Sequence, residues 1–241
     1  MYNLANPRQR GIKVDPKEKR QNQRNLIEKY LDGPVEFLIR HNVSPNLISY
    51  LGFLCAIASA VFIGLGFTHY PLYLAWISPF LLFISGALDT FDGEVARRTG
   101  KDSKSGAFLD SNLDRLSDSA IIFGMIFSGL IDYIMGFVIL FLNIMISYSR
   151  SKAENEEVNM KGVGIMERAE RLLFIMALLS IETWVNFLST LFLGSPIKII
   201  FLVLIWIYIG LLILTIMQRF IHTFRTLRAL DKRAPSNPAP A

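Results

Sequence analysis

The chain has 241 residues, 52% of them apolar, with 25 Lys and Arg against 20 Asp and Glu for a net charge of +5. The apolar residues gather in blocks of about 20, the length that crosses a bilayer as helix, which excludes an ordinary soluble domain. The single cysteine, Cys55, falls inside one block, so there is no disulfide framework, and the cations crowd at block ends, a pattern of membrane topology rather than of nucleic-acid binding.

Residues 1–24 are polar and basic and predict a flexible segment near lipid headgroups. No cleavable leader is expected, because the first apolar run comes only after this long polar stretch. Residues 25–43 interleave Leu26, Ile27, Leu31, Val35 and Leu38 with charges, as an interfacial amphipathic helix would, bent at Gly33–Pro34. Ser44 and Pro45 then supply a cap and a first helical turn. Six spans follow, near residues 47–67, 72–93, 107–130, 134–150, 168–188 and 197–219. Polar loops are expected at 97–105 and 152–167, and a disordered tail at 229–241. The fold class is therefore all-α: a polytopic membrane protein with six transmembrane helices in one domain, residues 44–228.

Nearly all Lys and Arg lie in the N-terminal segment, the loops after the second and fourth spans, and the C-terminal tail. The opposite turns hold only Lys198. That asymmetry predicts a multi-pass protein of the cell membrane with both termini on the cytoplasmic side.

The stretch around which the chain is organised joins the second and third spans. Asp89 and Asp92 are three residues apart; Asp110 and Asp114 are four apart. On helices each spacing puts both members on one face. Two helix ends, each with two carboxylates, make an oxygen-rich site for hard divalent cations. The competing reading pairs these acids with Arg97, Arg98, Lys101 or Arg115 as surface salt bridges, which would demand no fixed spacing. Gly93 and Gly106 suit either close approach of a ligand to backbone or helix packing. Arg97 offers a forked donor for a phosphate group, or serves only as a positive-inside residue.

Asp89, Asp92, Gly93, Ala96, Arg97, Gly106, Asp110 and Asp114 fill every fixed position of D-x2-D-G-x2-A-R-x8-G-x3-D-x3-D. By that motif the chain resembles the CDP-alcohol phosphatidyltransferase family. The resemblance implies a phospholipid-synthesising transferase in which a CDP-activated lipid is the donor, an alcohol the acceptor and CMP the leaving group. It implies two divalent cations, Mg2+ or Mn2+, with Asp89, Asp92 and Asp110 as ligands. Asp114 would be a ligand of the second metal and the general base for the attacking hydroxyl. It also implies a homodimer.

Cations recur near the cytoplasmic ends of later spans: Arg150, Lys152, Arg168, Arg171 and Arg219. Together they suit a phosphorylated acceptor; singly, each is explained as a topology determinant or a snorkelling side chain. The run from Gly164 to Leu172 and the pair Gln218–Arg219 are similar to the inositol-phosphate branch of the family. That similarity implies contacts of Arg150, Arg171 (or Arg168) and Arg219 with the acceptor phosphate. Glycerol 3-phosphate is the alternative acceptor, and serine a weaker one because it lacks a phosphate.

A divalent-cation transporter is the alternative of another class. Arg97 beside the carboxylates argues against it, as does the confinement of all motif acids to one membrane side. His41, His69 and His222 lack metal-ligand spacing. Glu182, well into the fifth apolar block, is read either as a buried functional acid or, with Trp184 beside it, as an acid at the outer interface next to an aromatic anchor, the reading preferred here. Asp118, one turn beyond Asp114, either supports the site or lines a polar groove. Ala120, Gly124 and Ser128 form a small-residue face fit for close helix contact.

Overall fold

The computed structural model describes residues 31–69 and 72–232, and among these every regular element is helical. Helix α1 covers residues 31–40 and α2 Pro45–Gly64. After a short 3-10 turn, α3 (Leu72–Ala75) leads into α4 (Ile77–Thr99). Then come α5 (Lys104–Phe127), α6 (Tyr133–Asn155), α7 (Arg168–Leu193) and α8 (Ile199–Asp231). Among the described residues, five helices are long and apolar enough to cross a membrane: α2, α3 with α4, α6, α7 and α8. Helix α5 is long as well, but its first fifteen residues carry Lys104, Asp110, Asp114, Arg115 and Asp118.

The helices form one bundle in which α2 lies chiefly against α4 and α5, α6 against α8, and α7 against α4 and α8. Leu82, Ile121, Ile122, Met125, Ile139, Ile146 and Leu179 fill its centre. Its outer surface is apolar too, with Leu54, Phe83, Phe137, Phe141, Phe192 and Trp206 exposed. Water would penalise so broad an apolar surface, whereas lipid matches it. The close approach of α2 and α5 depends on Gly124, where a Cβ would collide with the Ala60 carbonyl. Gly124, the middle residue of the expected small-residue face, thus makes a close helix contact inside one chain.

The helix limits correct several expectations. Helix α4 does not end at Gly93 but runs to Thr99, so residues 97–99 are helical and the expected loop shrinks to residues 100–103. The stop is set by Gly100, whose φ of 63° lets it close the helix in the left-handed conformation. Arg97 and Arg98 fit the last turn, where cations meet the negative end of the helix dipole. Ser103 caps α5 by accepting from the Gly106 N–H at 3.0 Å. Helix α8 continues well past Arg219 to Asp231, so residues 229–231 belong to it and not to a tail. Its 33 residues span about 50 Å, more than the hydrocarbon thickness of about 30 Å.

Ser44 caps α2 as expected, accepting from Leu47 N–H, with Pro45 in the first turn. Helix α1 is continuous through Gly33–Pro34, with no break there. It packs Val35 with Leu31 and Leu38 near Ile48 and Val95, while Asp32 pairs with Arg98 at 2.7 Å. The remainder of the expected amphipathic helix, residues 25–30, lies outside the described residues, as do the expected flexible segment 1–24 and residues 233–241 of the tail.

Candidate functional site

The C-terminal half of α4 and the N-terminal half of α5 run past each other at one end of the bundle. Because Asp89 and Asp92 share one face of α4 and Asp110 faces them from α5, one oxygen from each of the three lies within 4.8 Å of the others. Asp92 is buried and accepts a hydrogen bond from Ser49 Oγ of α2 at 2.5 Å. Two like charges about 4 Å apart repel by about 4 kcal/mol at an effective dielectric of about 20. A trio of carboxylates on rigid helices is therefore unfavourable alone and strongly favourable with a cation between them. The donor set is oxygen only, carboxylates plus the Ser49 hydroxyl, which fits Mg2+ or Mn2+ rather than a softer metal.

Asp114 sits in the same pocket but outside the trio. Arg168, the first residue of α7, forks between Asp89 and Asp114, with its Nη2 at 2.9 Å from Asp114. The salt-bridge reading foresaw other partners. Arg97 and Arg98 instead both hold Glu94, at 2.7 Å each. The partner actually used comes from more than fifty residues away.

Two cavities flank the carboxylates and share Asp110. One, of about 340 Å³, lies between α2, α4 and α5 and is lined by Asn46, Gly93, Ala96, Arg97, Lys101 and Gly106, among others. Gly93 and Gly106 thus both face this cavity. A Cβ at Gly93 would press on the Arg97 guanidinium at 3.3 Å, and one at Gly106 would stand 3.0 Å from Ser103 Oγ. The other cavity, of about 350 Å³, gathers Arg115, Arg150, Arg168, Arg171 and Arg219 with Asp114 and Asp118.

The two deepest of these cations are fixed from behind. Arg171, 5% exposed, takes Asp118 at 2.8 Å. Arg219, 2% exposed, is held by main-chain oxygens: its Nε donates to Val163 O at 3.0 Å and its Nη1 to Ile146 O at 2.5 Å. The Val163 carbonyl is placed by the loop before α7. Ile165 N–H donates to Gln218 Oε1 and Met166 N–H to Thr215 Oγ1, both at 3.1 Å. Gly164 makes this possible at φ +109°, where a Cβ would strike Thr215. Arg150 is more exposed and pairs with Glu154 at 2.9 Å.

All eight motif residues therefore line the pocket or its two flanks, and Arg150, Arg168, Arg171 and Arg219 converge on one of them. Ser49, Asn46 and Asp118 complete the arrangement. Asp118 was singled out by its spacing; Ser49 and Asn46 carry no signal in an apolar block except as polar interruptions one turn apart. Beyond Asp118 the core that faces the site is apolar, with Leu82, Ile121, Ile122 and Met125 buried there.

Glu182 corrects the reading of an acid at the interface. It is buried, whereas Trp184, two residues on and on another face of α7, is exposed. Cys55 is a free thiol, and no histidine joins the carboxylates.

The family model for CDP-alcohol phosphatidyltransferases matches residues 42–226 of this chain. The archaetidylinositol phosphate synthase of Pyrococcus horikoshii is 34% identical over 164 residues, which cover 62% of this chain and 82% of that protein. The phosphatidylinositol phosphate synthase of Cutibacterium acnes is 33% identical over 64% of this chain and 73% of its own. In three dimensions the chain is similar to the Mycobacterium tuberculosis phosphatidylinositol phosphate synthase crystallised with CDP-DAG bound. The TM-score is 0.64 at 22% identity, covering 81% of this chain and 94% of that one. At that identity the likeness is one of fold.

Proposed function

Given that this chain belongs to the CDP-alcohol phosphatidyltransferase family and is a transferase, we propose that it makes an inositol-phosphate phospholipid. In this reading the hydroxyl of an inositol phosphate attacks the lipid-side phosphorus of a CDP-activated lipid. The new O–P bond forms as the bond to CMP breaks, and the hydroxyl proton passes to a carboxylate. The observation that carries the reading is the carboxylate trio lying between two cavities, one glycine-lined and one holding the buried Arg171 and Arg219.

Asp89, Asp92 and Asp110 would hold a pair of divalent cations together with Asp114. When bound, such ions neutralise the diphosphate and stabilise the leaving CMP. The remaining work falls to the chain. Gly93 and Gly106 admit the nucleotide close to backbone, and Arg97 and Lys101 stand where its phosphates enter. Arg171 and Arg219 fix the acceptor phosphate, pre-oriented by Asp118 and by the Val163 and Ile146 carbonyls. Asp114, on the wall between pocket and acceptor cavity, receives the hydroxyl proton. Asp89 and Asp114 must then exchange Arg168 for cations while Arg168 turns to the acceptor phosphate, which makes it a contact that changes during turnover. Positioning and charge neutralisation supply most of the rate in such displacements at phosphorus.

We also place the aspartates and both termini on the cytoplasmic side, with α5 as a sixth span and α1 at the interface, and expect a homodimer. The charge asymmetry supports the first of these. The function is tested on purified protein with CDP-lipid, Mg2+ or Mn2+, and a panel of inositol phosphate, glycerol 3-phosphate and serine. CMP release with inositol phosphate alone is expected. Release with glycerol 3-phosphate instead overturns the acceptor, and release with none overturns the reaction.

A further inference from the structure

At the opposite end of the bundle lies another cavity of about 340 Å³, framed by the turn after α2, the α5–α6 turn, α7 and the start of α8. Most of its wall is apolar, including Leu130, Phe201 and Leu202. Three ionisable side chains interrupt that wall: His69, Glu182 and Lys198. The cavity is far from the carboxylate trio. Along α7 alone, Glu182 stands 14 residues beyond Arg168, about 21 Å of helix rise.

Glu182 is the unusual member. It is 2% exposed, and its Oε2 has no hydrogen-bond partner among the described residues. Its polar neighbour is Asn186, whose Nδ2 also donates to Thr68 O at 3.4 Å and whose Oδ1 is itself unpartnered. Buried acceptors without donors are costly, and native structures keep few of them. Lys198 is exposed at the edge and is the one cation in the sequence's three turns at this end. Burial first, and Lys198 second, hold the His69 imidazole below its usual range, so at neutral pH it serves as an uncharged hydrogen-bonding group.

The wall thus asks for three things at once: a hydrogen-bond donor to meet a buried carboxylate, an anion to meet an ammonium, and an apolar body to meet Phe201 and Leu202. We propose that this cavity binds the head of a second, non-substrate lipid that carries both a phosphate and hydroxyl groups. The hydroxyls satisfy Glu182, the phosphate lies by Lys198, and the first methylenes lie along α8. The transferred lipid plays no part in this, so the site can be present whichever acceptor the enzyme uses.

The test uses full-length protein in detergent, titrated with phosphatidylglycerol and read by native mass spectrometry. Phosphatidylcholine, which has no donor in its head, and free glycerol 3-phosphate run in parallel. Phosphatidylglycerol is expected to bind wild type most tightly, and Glu182→Gln and Lys198→Ala are each expected to weaken it about tenfold, the worth of one charge-assisted hydrogen bond. Arg219→Ala, at the other end, is expected to leave it unchanged, and Glu182→Gln is expected to keep wild-type CMP release. Lys198 is exposed, so its variant tests the site even if the Glu182 variant folds poorly. Equal binding by both variants, or equal binding of phosphatidylcholine, overturns the proposal. Competition by glycerol 3-phosphate at concentrations similar to the lipid overturns the lipid as ligand.

Discussion

Replacing Arg219 with alanine isolates what the basic cavity contributes. The guanidinium is 2% exposed and fixed by the Val163 and Ile146 carbonyls, so it is already aimed before any acceptor arrives. Removing one partner of a buried, hydrogen-bonded charge pair costs about 2–5 kcal/mol, and about 3 kcal/mol corresponds to about a hundredfold in kcat/KM for the acceptor. The loss is expected in the acceptor KM, with the CDP-lipid KM unchanged. Alanine also strips a donor from two buried carbonyls, worth about 1–3 kcal/mol of folding stability, so thermal unfolding is measured alongside. Arg219→Lys keeps the charge but cannot serve two carbonyls and a phosphate in one plane, and about a tenfold rise in acceptor KM is expected. Kinetics with CDP-lipid varied at saturating acceptor, and the reverse, separate the two KM values. A rise in the CDP-lipid KM with an unchanged acceptor KM refutes the placement of the acceptor phosphate.

Asp110→Asn is expected to abolish CMP release, at least a thousandfold, while the melting temperature of the metal-free protein holds or rises because a like-charge repulsion is relieved. Ser49→Ala removes the 2.5 Å hydrogen bond that orients Asp92 and is expected to weaken Mn2+ binding by about ten- to a hundredfold, measured by calorimetry. Gly124→Ala places a methyl against the Ala60 carbonyl and is expected to cost about 1–3 kcal/mol of stability without altering acceptor KM, read from unfolding and kinetics together.

The aspartate site was legible because its requirement is local: two carboxylates on one helix face need fixed spacings, and those spacings survive in the linear chain. The cap at Ser44 was legible for the same reason. Helix ends within polar stretches were harder. Arg97 and Arg98 look like loop residues by polarity, yet the helix continues until Gly100 supplies a positive φ. Long-range partners had no sequence signal at all. Arg168 meets Asp114 across 54 residues and Ser49 meets Asp92 across 43, pairings that only the packing of α7 and α2 creates. Glu182 misled because its neighbour Trp184 is exposed. Two residues along a helix point about 200° apart, so one can face lipid while the other is buried. The helix expected over 107–130 was legible despite its charged start, and it is found at Lys104–Phe127.

The most direct measurement is electron paramagnetic resonance of the protein loaded with Mn2+ in the presence of CDP. Two bound ions in magnetic contact, about 3.5–4 Å apart, are expected, reduced or lost in Asp89→Asn and Asp110→Asn. A single isolated ion, or a spectrum indifferent to both substitutions, contradicts the account.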